Sequence, residues 1–223
     1  MAITEMDLSA LWVTLRLAAM TVVVLLIVGT PLAWWLAHTR SRFRPILEAV
    51  VALPIVLPPT VLGFYILVAL GPYGPLGWLM NFTLAFTFTG LVIASVFYSM
   101  PFVIQPLQGA FEVAGKAPLE AAWSLRASKM DAFLTVISPI ALRGYLSAVV
   151  LGFAHTMGEF GVVLMVGGSI PGQTKVLSTT IYDHVETMEF AQAHAISAFM
   201  LIFSFLVLLG VYVANRRFPI HVS

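Results

Sequence analysis

Two side chains have a chemistry that does not suit their surroundings. His155 and Glu159 lie in an otherwise uncharged apolar stretch, one helical turn apart, at the i, i+4 spacing that lets two groups share a proton or an ion pair. An ionisable group at bilayer depth marks a cavity, a pairing partner or a proton path. One Glu and one His do not make a relay across a bilayer, so a carboxyl pinning helices beside a gate is the favoured role and proton transfer the other. The remaining histidines, His38, His184, His194 and His221, are scattered without a ligand pair in any apolar run. A metal centre is therefore not expected, nor an intramembrane enzyme, which needs a nucleophile with a base or a metal cluster. The chain has no cysteine, which excludes disulfides, thiol catalysis and cysteine-ligated zinc or iron–sulfur clusters. It has no Gly-rich loop ending in Lys-Ser/Thr, so no nucleotide and no other cofactor is expected on this chain.

The elements that must position these groups are membrane helices. Of 223 residues, 60% are hydrophobic and 9% charged, and mean hydropathy is +0.99; an average soluble domain is roughly 25% charged. The pattern predicts an all-α integral membrane protein of one domain, 1–223, with five spans at about 12–37, 46–70, 84–107, 140–166 and 191–214. The first run lacks a basic leader and a small-residue cleavage site, so it reads as a retained span. Pro31 is expected to kink it, and Trp34 and Trp35 beside Arg40 form an aromatic anchor at headgroup level. A short loop with Trp78 is expected before the third span. Gln105, Pro106 and Gly109 are expected to end that span, and the fourth is expected to be one helix containing His155 and Glu159.

The second span is interrupted by Pro54, Pro58, Pro59 and Gly63. A proline deletes a helix hydrogen bond, and freed carbonyls at membrane depth are tolerated only inside protein or along a water-filled path. The segment from Leu57 through Pro58 and Pro59 to Thr60 is thus expected to face the bundle interior or a pore; a plain packing kink is the alternative. Basic residues set the orientation. Arg40, Arg42, Arg44, Lys116, Arg126, Lys129, Arg143, Arg216 and Arg217 share one side of a five-span arrangement, and only Arg16 and Lys175 fall on the other. The positive-inside rule puts the N-terminus outside, and the 109–138 connector and the C-terminus in the cytoplasm. Glu159 then lies ~28 Å along its span from the cytoplasmic end, near the outer mouth.

The cytoplasmic connector is the place where such a chain receives work from outside. Residues 117–126 are mostly good helix formers, with Pro118 suited to a first turn. At helical spacing Leu119, Ala122 and Trp123 share a face, an apolar knob for a groove on a partner. Glu120-Ala121-Ala122, residue 126 and Val136-Ile137-Ser138-Pro139 resemble the EAA motif of importer-type ABC permeases. Arg126 stands where that motif has Gly, and Ser138 where it has Leu. The resemblance implies two coupling helices joined by a turn at residue 126 and gripping an ATPase, with Glu120, Ala121, Ala122, Trp123, Leu125 and Arg126 at the contact. Either the turn survives, with an arginine at positive φ costing roughly 1–2 kcal/mol, or the helix continues and Arg126 reaches an acidic group on the partner.

A wider likeness covers nearly the whole chain. The run from Leu53 to Gly63, Gly158-Glu159-Phe160-Gly161, and Ile170-Pro171-Gly172-Gln173-Thr174 leading to Ile181-Tyr182 are similar to the permeases of molybdate/tungstate ABC importers. Sulfate permeases share the plan. The resemblance implies a homodimer with the pore between two copies, two cytoplasmic ATPase subunits that consume ATP, a periplasmic oxyanion-binding protein and surrounding lipid, with no nucleic acid. It places this chain in the bacterial inner membrane as a pore subunit, not an enzyme. Pro58, Pro59, Thr60, Thr156, Gly158, Glu159 and Gly161 are the expected path or gate residues. A dianion avoids fixed negative charge, since unit charges ~4 Å apart interact by ~4 kcal/mol at intermediate dielectric. Thr60, Thr156 and N–H groups freed around Pro59 and Gly158 are therefore the expected lining, and selectivity falls to the binding protein. An ion-driven secondary transporter using His155 and Glu159 is the competing class; it predicts inverted internal repeats, which the sequence does not display.

Overall fold

The computed structural model describes residues 5–75, 77 and 83–217; Trp78 lies outside them. The described residues are helical with turns between them and no strand. The mast of the bundle is α4 (Phe88–Ala114), opened by Thr87, whose hydroxyl oxygen accepts from Gly90 N at 3.0 Å, and closed by Gly115 at φ 65°. One face of it, Leu91, Ala94, Ser95, Ser99, Val103, Ile104, Leu107 and Phe111, is fully buried. The helix does not stop at Gln105, Pro106 and Gly109, where the third span was expected to end: α4 runs through Pro101 and Pro106 to Ala114. Packing on both flanks over its whole length outweighs the ~3 kcal/mol that an interior proline costs.

Alongside runs α1 (Glu5–His38), parallel to α4: the Arg16 guanidinium lies 4.4 Å above the Phe88 ring, Gly29 abuts Ile104, and Trp34 meets Phe111 edge-on at 5.2 Å. On the other flank α7 (Leu142–Met157) runs antiparallel. Gly144 sits on Pro106 and Ala110, Gly152 on Val103, and His155 and Thr156 on Ser99. A methyl on Gly144 would lie 2.3 Å from Ala110 Cβ, so only glycine lets the two backbones approach this closely.

Two further spans are bent. Helices α2 (Arg44–Val56) and α3 (Pro59–Leu70) meet at 114° across Leu57 and Pro58. Arg44 Nη2 bonds Glu112 Oε1 at 2.6 Å at the far end of α4, whereas Leu84 N donates to Leu70 O at 3.0 Å just before α4 begins. The pair therefore traverses the full height of the mast and is no re-entrant loop. The connector helices α5 (Ala117–Ser124) and α6 (Lys129–Ile140), the latter widened by one turn at Phe133–Ile137, lead into α7 at 73°.

The fourth span corrects the expectation of one helix over 140–166. It stops at Met157, and α8 (Gly161–Gly167) resumes after a break at residues 158–160. Gly158 and Gly161 lower helix stability there, and α8 gains more by leaning on α3: Gly63 packs on Val162 and Met165, and Gly161 on Pro59 and Thr60. The break at 57–58 thus meets the break at 158–160. Among the described residues three helices, α1, α4 and α10 (Phe190–Arg217), are long and apolar enough to cross a bilayer singly, and counting each bent pair, α2 with α3 and α6 with α7, as one span gives five. Much of α10 is exposed apolar surface, including Leu201, Phe205 and Tyr212, which suits lipid.

Between α8 and α10, α9 (Leu177–Glu186) closes the end where α1 begins. His184 holds it there, its Nδ1 2.7 Å from Glu189 Oε2 and its Nε2 3.3 Å from Asp7 Oδ1. Burial works to lower the imidazole pKa, but the hydrogen bonds and charges of Glu189 and Asp7 outweigh it and the net direction is upward. A raised folded pKa means that the clamp is fully formed below the unfolded value of about 6.5 and lost as pH rises through the folded value. Melting of the detergent-solubilised protein should therefore fall as pH rises above about 6.5, and His184→Gln should flatten that dependence. A second test addresses the mast: Gly144→Val should destabilise the protein by about 1–3 kcal/mol through overpacking, read as a lower melting temperature, whereas an unchanged melt would place α7 elsewhere.

Candidate functional site

The structure brings the predicted residues into two groups at opposite levels. The first is the turn after α5. Leu119 and Ala122 face inward, buried with Phe111, Ala132 and Ile137. Ala122, expected at the partner contact, is thereby corrected: it packs the segment onto its own core and is not presented. The outward side consists of Glu120, Ala121, Trp123, Leu125 and Arg126. The apolar knob is accordingly Trp123, Leu125 and Met130, at 45%, 84% and 67% exposure, and not Leu119, Ala122 and Trp123. Behind it, Trp123 lines a cavity of about 650 Å³ with Trp34, His38, Lys116 and Lys129.

The chain reverses direction at Arg126. Leu125 ends the helix, Arg126 has φ 64°, Arg126 N donates to Trp123 O at 2.9 Å, and Ala127 N donates to Ala122 O at 3.1 Å. These are the two hydrogen bonds of a Schellman cap, with arginine in the left-handed place that glycine fills at least cost. Of the two outcomes left open by the sequence, the turn survives and the helix does not continue. Ser128 then opens α6, its hydroxyl oxygen accepting from Asp131 N. The result is a rigid helix–turn–helix with an exposed apolar tip.

The second group surrounds the meeting of the two breaks. A cavity of about 530 Å³ is lined by Pro59, Thr60, Tyr98, His155, Gly158, Glu159, Phe160 and Gly161, among others. Pro58 lies exposed at the break itself. Thr156 does not reach the cavity, a second correction: it is buried, with Oγ1 on Gly152 O and on Ser99 Oγ, both at 2.9 Å, and braces α7 against α4. The N–H groups of Gly158 and Glu159, the first of them an expected donor to an anion, are taken up by carbonyls of the preceding turn.

His155 and Glu159 do not pair. The break turns Glu159 away from the helical position that would face His155, whose Nδ1 instead bonds Ser99 Oγ at 2.9 Å while its ring stacks on Phe102 at 3.9 Å. Glu159 is 2% exposed, and the one polar side chain that comes up to its carboxyl is Ser95. The Ser95 hydroxyl is also buried and otherwise unpartnered. The Glu159 backbone carbonyl accepts from Ser178 Oγ, which ties the break to α9. Sequence reasoning missed Ser95, Tyr98 and Ser99, because only the antiparallel packing of α4 on α7 brings them to this level. Among the described residues no group of three possible metal ligands forms.

A bundle with two spans broken at one level around a cavity, and a stiff apolar-tipped hairpin at the other end, defines a membrane transport subunit worked by a partner. Residues 29–219 match the model of the family described as binding-protein-dependent transport system inner membrane component, and the chain belongs to that family. It is 59% identical to the molybdenum transport system permease protein ModB of Azotobacter vinelandii, over the full length of both. It is 31% identical to ModB of Escherichia coli strain K12, covering 84% of this chain and 83% of that one, and 32% identical to a probable sulfate transport permease cysT of Nephroselmis olivacea, covering 97% and 78%. The fold is that of a bacterial ABC importer of alginate, with TM-score 0.76 and 17% identity over 97% of this chain and 81% of that one. The MetNI methionine transporter gives 0.73 at 16% identity, over 96% and 99%.

The left-handed arginine gives a direct test of the turn. Arg126→Gly should keep the hairpin and stabilise the protein by about 1 kcal/mol, the left-handed penalty of a side chain less the extra freedom of unfolded glycine. A melt lowered by the substitution would mean that the Arg126 side chain itself holds the turn.

Proposed function

We propose that this chain is the permease of an ATP-driven molybdate importer, forming the translocation pathway and converting the movement of a separate ATPase into opening and closing of that pathway. The observation that carries the anion is the 59% identity to a molybdenum permease over both full lengths, against 31–34% for the sulfate relatives. The exposed Trp123, Leu125 and Met130 tip supports the coupling role: it is a preformed apolar knob on a helix end, the shape that a groove on a partner accepts. Two copies of the chain, with the cavities at their broken spans turned to a shared pathway, act with two cytoplasmic ATPase subunits and a periplasmic oxyanion-binding protein. The chain itself hydrolyses nothing; ATP belongs to the partner. It lies in the inner membrane with the N-terminus outside and the coupling hairpin and C-terminus in the cytoplasm, as the skew of basic residues supports.

The reading is tested with the permease, its ATPase and its binding protein in proteoliposomes. ATP hydrolysis and uptake should rise with molybdate-loaded binding protein and not with sulfate. Leu125→Asp, at a site too exposed to disturb folding, should cut that stimulation by about tenfold or more, as expected for losing an interface hot spot. Stimulation by sulfate alone would reassign the anion. Full stimulation of the Leu125→Asp variant would remove the hairpin from the coupling role.

A further inference from the structure

Between the last turns of α1 and the hairpin lies the cavity of about 650 Å³, apart from the one at the broken spans. Its inner wall is aromatic and held in place. Trp34 meets Phe111 and Phe133 edge-on at 5.2 and 5.3 Å and lies against His38 at 3.9 Å, with Leu119 buried beside them. A volume within the ~300–1,000 Å³ of small-ligand sites, with walls fixed by ring contacts, makes the site preformed. Along α1 the lining runs from Thr30 and Pro31 to His38, ~12 Å of helix. Thr30 and Pro31 stand inside the uncharged run 17–37 of a span, at a depth that a water-soluble partner does not reach. Leu125 and Arg126, at the tip of the hairpin, take no part in the lining.

The hairpin side of the same cavity is charged. Lys116 precedes α5 and Lys129 opens α6 just past the turn, so that one lysine stands at each end of α5. Both are exposed, as is Trp123. Among the described residues neither lysine is paired with a carboxylate. The opposing charge in the lining is Glu120, and the balance is positive. An occupant that suits both ends has an apolar part entering from the bilayer at Thr30 and an anionic part at the lysines. We propose that this cavity seats an anionic phospholipid of the leaflet on the hairpin's side, with an acyl chain along Thr30, Pro31 and Trp34 and the phosphate toward Lys116 and Lys129. Trp123 bounds both the cavity and the tip, so the lipid packs behind the hairpin and ties its position to the membrane surface. This goes beyond the transport reading, and lipid retention by the chain alone is measured without anion or ATPase.

The experiment uses the full chain purified in detergent. By native mass spectrometry it should retain phosphatidylglycerol about tenfold or more tightly than phosphatidylcholine, as expected for two lysines at a membrane surface. Lys116→Glu combined with Lys129→Glu, at sites too exposed to disturb folding, should abolish the difference. Arg42→Glu, at a basic residue of the same end outside the cavity, should leave it. In nanodiscs holding the chain with its ATPase, phosphatidylglycerol brominated in its acyl chains should quench the part of the tryptophan fluorescence that Trp34→Phe removes, and more strongly than equally brominated phosphatidylcholine. Equal retention of the two lipids by the wild type, an undiminished preference in the double variant, or a preference lost as fully in Arg42→Glu would each overturn the proposal. Trp34 fluorescence untouched by either brominated lipid would give the cavity to protein, the ATPase or a second copy, and would overturn it as well.

Discussion

A backbone amide inside a bilayer has no water to bond, and that constraint governs where this chain bends. Outside a helix, peptide groups at that depth survive only where protein or a water-filled space accepts them. Both broken spans obey it in the same place. Leu57 N still donates to Leu53 O and Val61 N to Pro58 O, so that the break at the prolines leaves few groups open. Gly158 and Glu159 turn their N–H groups back into α7, and the Glu159 carbonyl is taken by Ser178. Putting the two interruptions against each other, with Gly161 on Pro59, confines the irregular backbone to the edge of one cavity and leaves lipid-facing surfaces regular.

Around that cavity the rest of the bundle is a frame. The straight mast α4 is held between α1 and α7 by glycines at 29, 144 and 152, each the point where a neighbouring side chain or backbone comes close. The core divides into separate clusters. One gathers Phe111, Leu119, Ala122 and Ile137 beneath the hairpin at Arg126; another joins Leu70, Ala94, Val162 and Val166 beyond the breaks. The first cluster joins the hairpin to the ends of α1 and α4 through Leu36, Trp34, Leu107 and Phe111, and protein interiors pack like solids.

Much of this was legible in the residues, for reasons that can be named. Long uncharged runs fix the number of crossings, and the proline run at 54–59 fixes one break, because proline acts locally whatever its surroundings. The break at 158–160 was hidden: two glycines in an apolar run are a weak signal, and what decides the matter is the gain from docking α8 on α3, a contact between distant segments. Pro106 misled in the opposite direction, since flanking helices on both sides carry α4 through it. Ala122 shows the limit of helical periodicity, which groups residues on faces but does not say whether a face turns toward a partner or toward the chain's own core. The pairing of His155 with Glu159 failed because i, i+4 geometry holds only where the helix is unbroken.

Arg126 shows how a single torsion angle sets the shape of a surface. The hairpin needs one residue at positive φ, and this chain accepts the penalty of an arginine there. The two cap hydrogen bonds and the burial of Leu119 and Ala122 before the turn and of Ala132 after it over-determine the turn, so the strain does not open it. In exchange a permanent positive charge stands at the tip, beside the exposed Leu125. An apolar anchor with a charge at its rim is an arrangement in which burial supplies affinity and the charge sets orientation and encounter rate. The departure from glycine therefore changes what the tip presents while leaving its backbone as it would be with glycine. The shape of the turn and the charge at its tip thus reside in different atoms of the same residue.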